Sequence, residues 1–170
     1  MEPTDRHVVQ LGALIANFQS LEYMLRALLG KLPGAKPHPT PYGVDIYTFP
    51  VGTKLPVSDL TSYASLNDLI SAYNSASKKF DFGPSLDPRL VGLRDALAHG
   101  RVSTPPSNNV PRLLKFTRPR NGTVTISFNE IMDDAWFKVQ LELIYDALIA
   151  VLGTINEAER RWPETRPSPT

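Results

Sequence analysis

One hundred and seventy residues, 42% hydrophobic and 21% charged, suit a single globular domain, and a net charge of +1 with pI near 8.0 supplies no global basic field for nucleic acid. The lack of cysteine excludes disulfides and thiolate metal sites, and three histidines, at 7, 38 and 99, none at ligand-pair spacing, argue against zinc. The opening MEPTDRHVVQ lacks a signal-peptide pattern, and no apolar run nears the ~18 residues of a membrane helix, so a cytoplasmic protein with no membrane partner is expected.

Sixteen prolines, all but Pro3 clustered at 33–56, 84–88, 105–119 and the C-terminal end, punctuate the chain. Thr4 or Asp5 can cap a first helix running to about residue 31, where Val8, Leu11, Leu14, Ile15, Phe18, Leu21, Leu25, Leu28 and Leu32 recur at helical intervals. Glu22 and Arg26 read as an exposed ion pair one turn apart, or Glu22 and Asn17 as supports for a nearby cleft. Residues 32–64 show no helical period. Ile46, Tyr47, Thr48, Phe49 and Val51 favour a short strand that Pro50 confines to an edge. Tyr42, Tyr47 and Phe49 read as packing anchors or as platforms for bases.

Ser65 and Asp68 form a capping box before a second helix to about residue 79, with Leu66, Leu69, Ile70 and Tyr73 inward. Asp87 as N-cap, Pro88 at the first helical position, leucines at 90, 93 and 97, and Gly100 as a left-handed terminator delimit a third helix over 88–99. A proline, serine and asparagine loop follows at 103–111. Alternating stretches at 112–118 and 123–128 flank Asn121-Gly122 and predict a hairpin, whose loop Pro119 and Arg120 lengthen beyond two residues. Asp133 or Asp134 starts a last helix to about residue 161, with a core face of Trp136, Val139, Leu143, Leu148, Val151, Leu152 and Ile155. The pattern predicts a mainly α fold, an antiparallel four-helix bundle with a β-hairpin inserted between helices 3 and 4. It forms one domain over 1–161 with a flexible tail over 162–170.

The third helix also carries Arg94, Asp95 and His99. At about 100° per residue, Arg94 and His99 lie about 140° apart, too far round one helix to touch. Beside His99 stand only Val91, Gly92, Asp95 and Ala98, so a second copy of the helix can approach closely there. A two-fold axis at that face would place Arg94 and His99 of two chains in one cleft. An imidazole moves protons near neutrality, and a guanidinium grips two phosphate oxygens without losing its charge. Plainer uses exist: His99 as a cation on the helix dipole, and Arg94 as a side chain snorkelling past the core. Arg101, Arg112, Lys115, Arg118 and Arg120, with no acid before Glu130, form a basic patch. These five read either as solvated edge-strand charges or as phosphate contacts.

The run Arg94-Asp95-Ala96-Leu97-Ala98-His99 resembles the R-x4-H signature of the HEPN superfamily, in which the residue after the arginine is usually polar. NFQSLEYMLRALL likewise resembles the first helix of HEPN-like bundles. The resemblance implies a helical homodimer with Arg94, His99 and Asp95 at its interface, a metal-independent endoribonuclease of toxin, defence or RNA-processing type that uses no cofactor. In that reading His99 is base or acid, Arg94 stabilises the phosphorane, and Asp95 orients one of them. The family equally implies a non-catalytic dimeric binding module, or a nucleotide-binding partner of a toxin–antitoxin or defence system, paired with a cognate antitoxin or a nucleotidyltransferase. Two departures favour this alternative: the surface is not strongly basic, and Val102 stands third after His99, where one HEPN branch has tyrosine.

Overall fold

The computed structural model describes residues 3–40, 43–105 and 110–163. Tyr42, the side chain of Thr4, the centre of the 103–111 loop and the tail beyond residue 163 lie outside the described residues. The order of elements is α1 (Pro3–Leu29), a 3-10 turn (Ile46–Thr48), α2 (Leu66–Phe80), α3 (Arg89–His99), β1 (Arg101–Ser103), β2 (Arg112–Phe116), β3 (Ile126–Ile131) and α4 (Asp134–Arg161).

The strands make one antiparallel sheet in the order β1-β2-β3. With 54% helix and 10% strand, the chain is a helix–sheet mix, and this overturns the expected antiparallel four-helix bundle with an inserted hairpin. The cause is the stretch directly after Gly100. Arg101, Val102 and Ser103 pair with Leu114, Leu113 and Arg112, so β2 is a central strand instead of one arm of an appended hairpin. Leu113 is fully buried and Met132, just past β3, nearly so, which makes the sheet part of the core. Three residues carry too little alternation for β1 to be seen in the sequence.

Contacts divide the chain into two compact units, Met1–Ser20 with Asp87–Ala147 and Leu21–Leu86 with Leu148–Thr170. In the first, Leu14, Phe18, Leu90, Leu93, Ala96, Leu113, Phe137 and Ile144 are buried. In the second, Leu21, Leu25, Leu28, Leu69, Ile70, Tyr73, Val151 and Ala158 are buried. The Tyr73 hydroxyl, within that second core, bonds Thr154 Oγ1 at 3.1 Å and donates to the Pro84 carbonyl at 3.3 Å, so its burial leaves no polar atom unpaired.

Local chemistry explains most of the differences from the expected elements. The 46–48 segment is a 3-10 turn rather than a strand because the Asp45 carboxylate accepts the Tyr47 N–H at 2.9 Å and Thr48 Oγ1 donates to the Asp45 carbonyl at 2.7 Å. That local capping outweighs the β preference of the side chains. Tyr47 remains largely exposed, with its ring 6.4 Å from Tyr23. Arg26, expected to pair with Glu22, donates to Ser62 and Ala64. The hairpin tip is the minimal two-residue loop, not a longer one. Asn121 and Gly122 both take positive φ, 50° and 75°, and Arg120 and Thr123 exchange both backbone bonds across them.

On α4 the Asp133 carboxylate caps the Trp136 N–H at 2.8 Å. Its buried face is Phe137, Ile144, Ala147, Val151, Thr154 and Ala158, about one residue out of phase with the expected stripe, and Val139 and Leu152 are exposed. Apolar residues surround this helix on every side, so spacing alone does not fix its phase. An 18-residue window of α4 has mean hydropathy 1.4, making it long and apolar enough to cross a membrane by length and composition. The ring of Trp162, placed in the expected tail, packs edge-on against Phe80 and Phe82 at 5.1 and 5.7 Å.

Candidate functional site

The entry to α3 lies one residue later than expected. The helix begins at Arg89 and its N-cap is Pro88, with φ −64°, rather than Asp87, whose Oδ1 still accepts the Arg89 N–H at 2.8 Å. Leu90, Leu93 and Ala96 form the buried row, and Leu97 is only half-buried. The exit differs from expectation. Gly100 is extended, with φ −78° and ψ 179°, so it is not a left-handed terminator. Glycine is required here by space: a Cβ would collide with the Ala96 carbonyl oxygen and come 2.7 Å from Leu113 Cδ1. That close approach lets the chain pass straight from His99 into β1, and so sets Arg101 beside the end of the helix.

Asp95 and His99 lie one turn apart on the same face, as i and i+4 do on any helix. The Lys115 ammonium, from β2, donates to Asp95 Oδ2. The other oxygen, Oδ1, is 3.6 Å from His99 Nε2, beyond a hydrogen bond, so this contact is electrostatic. The bond from Lys115 holds the Asp95 carboxyl below its usual range; partial burial opposes the effect, and the charges of Lys115, His99 and Arg94 add to it. Strand alternation places Lys115 on the Leu113 side of β2, the side that meets α3.

The His99 side chain is 66% exposed and opens into a groove of about 310 Å³ shared with Arg101, Phe116, Thr117, Pro119 and Val124. The Arg101 guanidinium sits over the Phe116 ring, 5.3 Å from its centroid, a placement that holds a cation in position without neutralising it. A bulge between Lys115 and Phe116 sharpens the local twist beside this pair.

Of the residues marked in the sequence, the structure brings together His99, Asp95, Lys115 and Arg101. Arg94 is half-buried, reaches Asp95 through its charge, and does not line the groove. Arg112 Nη1 donates to Asn129 Oδ1 across to β3. Arg118 and Arg120 are exposed on the outer part of the hairpin. The basic patch is thus dispersed, with one member neutralised and one stacked.

No family model, curated protein or solved structure matches the chain. The site therefore rests on its own geometry.

Among the described residues no group of three or more His, Cys, Asp or Glu side chains could hold a metal ion. What the groove offers is an accessible imidazole, a fixed guanidinium and an apolar floor, a set suited to a phosphodiester and its neighbouring sugar or base. The spacing of Arg94 and His99 drew attention to α3, but Phe116 and Val124 carried no such mark. Their only sequence signal is the alternation that puts them on facing hairpin arms.

Proposed function

We propose that the chain is a HEPN-type, metal-independent endoribonuclease acting as a cytoplasmic homodimer, with the scissile phosphate seated in the His99 groove. The observation that supports this is the exposed His99 ring sharing one groove with the Arg101 guanidinium while its Nε2 faces Asp95. With Nε2 turned to the carboxylate, Nδ1 is the edge that takes the proton from the ribose 2′-hydroxyl. The freed 2′-oxygen forms a bond to phosphorus, the bond from phosphorus to the 5′-oxygen breaks, and a proton goes to that leaving oxygen. The products are a 2′,3′-cyclic phosphate and a 5′-hydroxyl. The second proton comes from the His99 of a second copy, whose Arg94 completes the positive charge around the phosphorane. Arg118 and Arg120 contact flanking phosphates, while Arg112 and Lys115 position Asn129 and Asp95.

Purified protein should nick RNA in the presence of chelator and leave cyclic phosphate ends, and His99→Ala should slow this by about 10²–10⁴-fold while remaining folded. If wild type and the His99 variant leave RNA equally intact, there is no such enzyme.

A second reading, a non-catalytic dimeric module or nucleotide-binding partner of a toxin–antitoxin or defence system, is favoured by one observation. Tyr145, Ile149 and Leu152 stand exposed in a row along α4, a surface suited to association. Under this reading sizing chromatography gives a dimer and RNA stays whole.

A further inference from the structure

The 32–64 segment, which shows no helical period in the sequence, forms with the end of α1 a cleft of about 220 Å³ in the second unit. Tyr23, Arg26, Lys31, Lys36, His38 and Asp59 are among the residues that line it. Three of these are cations and a fourth is an imidazole.

Their charges are only partly cancelled. Arg26 Nη1 donates to the Ser62 carbonyl and hydroxyl at 2.6 and 2.7 Å, and Nη2 to the Ala64 carbonyl at 2.7 Å. Every one of these acceptors is neutral, so a part-buried guanidinium keeps its full field where water screens it poorly. Of the nearby acids, Glu159 pairs with Lys31 at 3.2 Å, while Asp59 Oδ2 accepts the neutral Lys36 backbone N–H at 3.1 Å and keeps its charge. The three cations outnumber the two acids, so the lining stays net positive. Among the described residues no acid pairs with the Lys36 ammonium, which is exposed. His38 is anchored through Nδ1, which contacts the carbonyl, amide and hydroxyl of Thr40 at 3.1, 3.3 and 3.1 Å, and this leaves Nε2 for another partner. Tyr23 supplies an aromatic wall. Burial, then Tyr47 and Asp45, push its phenol up, so it stays neutral and repels no anion.

We infer that this cleft binds a small phosphomonoester, with the phosphate on Lys36 and His38 over the Arg26 field and the attached group against the Tyr23 ring. The volume lies below the roughly 300–1,000 Å³ of sites for drug-sized ligands, which limits the ligand to a sugar phosphate or a single nucleotide. This site is separate from the proposed RNA groove and does not depend on it.

The test is calorimetric titration of the full chain with inorganic phosphate, ribose 5-phosphate, AMP and adenosine. The three phosphates are expected to bind saturably and adenosine not to. AMP binding tighter than ribose 5-phosphate identifies nucleotides as the source of the phosphate, and equal binding identifies sugar phosphates. Lys36→Ala, at an exposed position with no side-chain bond among the described residues, should weaken AMP with no shift in unfolding midpoint, and the Lys36→Ala, His38→Ala double variant should weaken it about tenfold or more. Tyr23→Leu should weaken AMP while leaving inorganic phosphate unchanged. His99→Ala should bind AMP as wild type does, which separates this site from the RNA groove. The inference is overturned if no phosphate binds saturably by about 10 mM, if the double variant binds like wild type, or if adenosine binds as well as AMP.

Discussion

In the first unit the Lys115 ammonium is bonded to the Asp95 carboxylate, whereas in the second the Arg26 guanidinium is bonded, among the described residues, only to the carbonyls of Ser62 and Ala64 and the Ser62 hydroxyl. The first arrangement cancels charge with charge. It titrates with its acid, and its partly exposed partners let water and salt screen it. The second satisfies a fork of donors with fixed neutral acceptors, so it has no acid to titrate and leaves positive potential behind. One is an electrostatic pair beside a groove, and the other is a strut that joins α1 to the start of the 62–64 stretch.

The largest expected effect comes from cutting the strut. Arg26→Ala leaves three part-buried acceptors without donors and should cost about 3 kcal/mol in urea unfolding, given the roughly 1.5–3 kcal/mol typical of a hydrogen bond to a charged group. Arg26→Lys keeps the charge but not the fork, and should recover less than half of that loss. A loss below about 1 kcal/mol for Arg26→Ala would show that the carbonyls find water and that the contact holds nothing together.

Next in size are two glycines of the α3 region, which test what supports the pair. Gly100→Ala meets the Ala96 carbonyl oxygen and the Leu113 side chain, and should destabilise by about 2 kcal/mol through overpacking. Gly92→Ala, in the interior of the same helix, meets nothing within 4 Å and should stabilise by about 0.5–1 kcal/mol. Chemical unfolding of both variants checks the opposed signs. Equal signs would mean that the tight exit from α3 is not what glycine serves at position 100.

How much of this was legible depends on whether a signal is local. The Ser65–Asp68 capping box, the Asp87-Pro88 helix start, the Asn121-Gly122 turn and the inward row of α2 all follow from residues within a turn or two of each other. What escaped is set by distant partners. β1 exists because Leu113 and Leu114 are there to pair with it, and Gly100 is glycine because of the space left by the Ala96 carbonyl and by Leu113 and Leu114 rather than its own φ. The phase of α4 was illegible because its apolar residues run all round, so Val139 and Leu152 looked as internal as Phe137 and Ile144. In the candidate site, Arg94, Asp95 and His99 stood out by spacing. The commitment of Lys115 to Asp95 is a sheet-to-helix contact that no spacing along the chain encodes.

The smallest effect is the most diagnostic, because only the charge pair responds to acid. Asp95 has its carboxyl held below the ordinary value in the folded chain, so the unfolded chain binds that proton more readily. The stability this lends is complete above about pH 4, the ordinary carboxylate value, and is lost as pH falls through the folded value. Asp95→Asn removes the charge at every pH. With the Asp95 side chain 43% exposed, screening limits the difference between wild type and variant to about 0.5 kcal/mol near pH 7. That gap should close as pH falls through the folded value of Asp95 and shrink near 1 M salt, while the deficit of Arg26→Ala holds steady under both changes. Urea midpoints for the three proteins under these conditions decide it. A gap for Asp95→Asn that persists unchanged in acid would mean that the aspartate contributes through packing and local hydrogen bonds, and the contrast between the two units would lose its electrostatic basis.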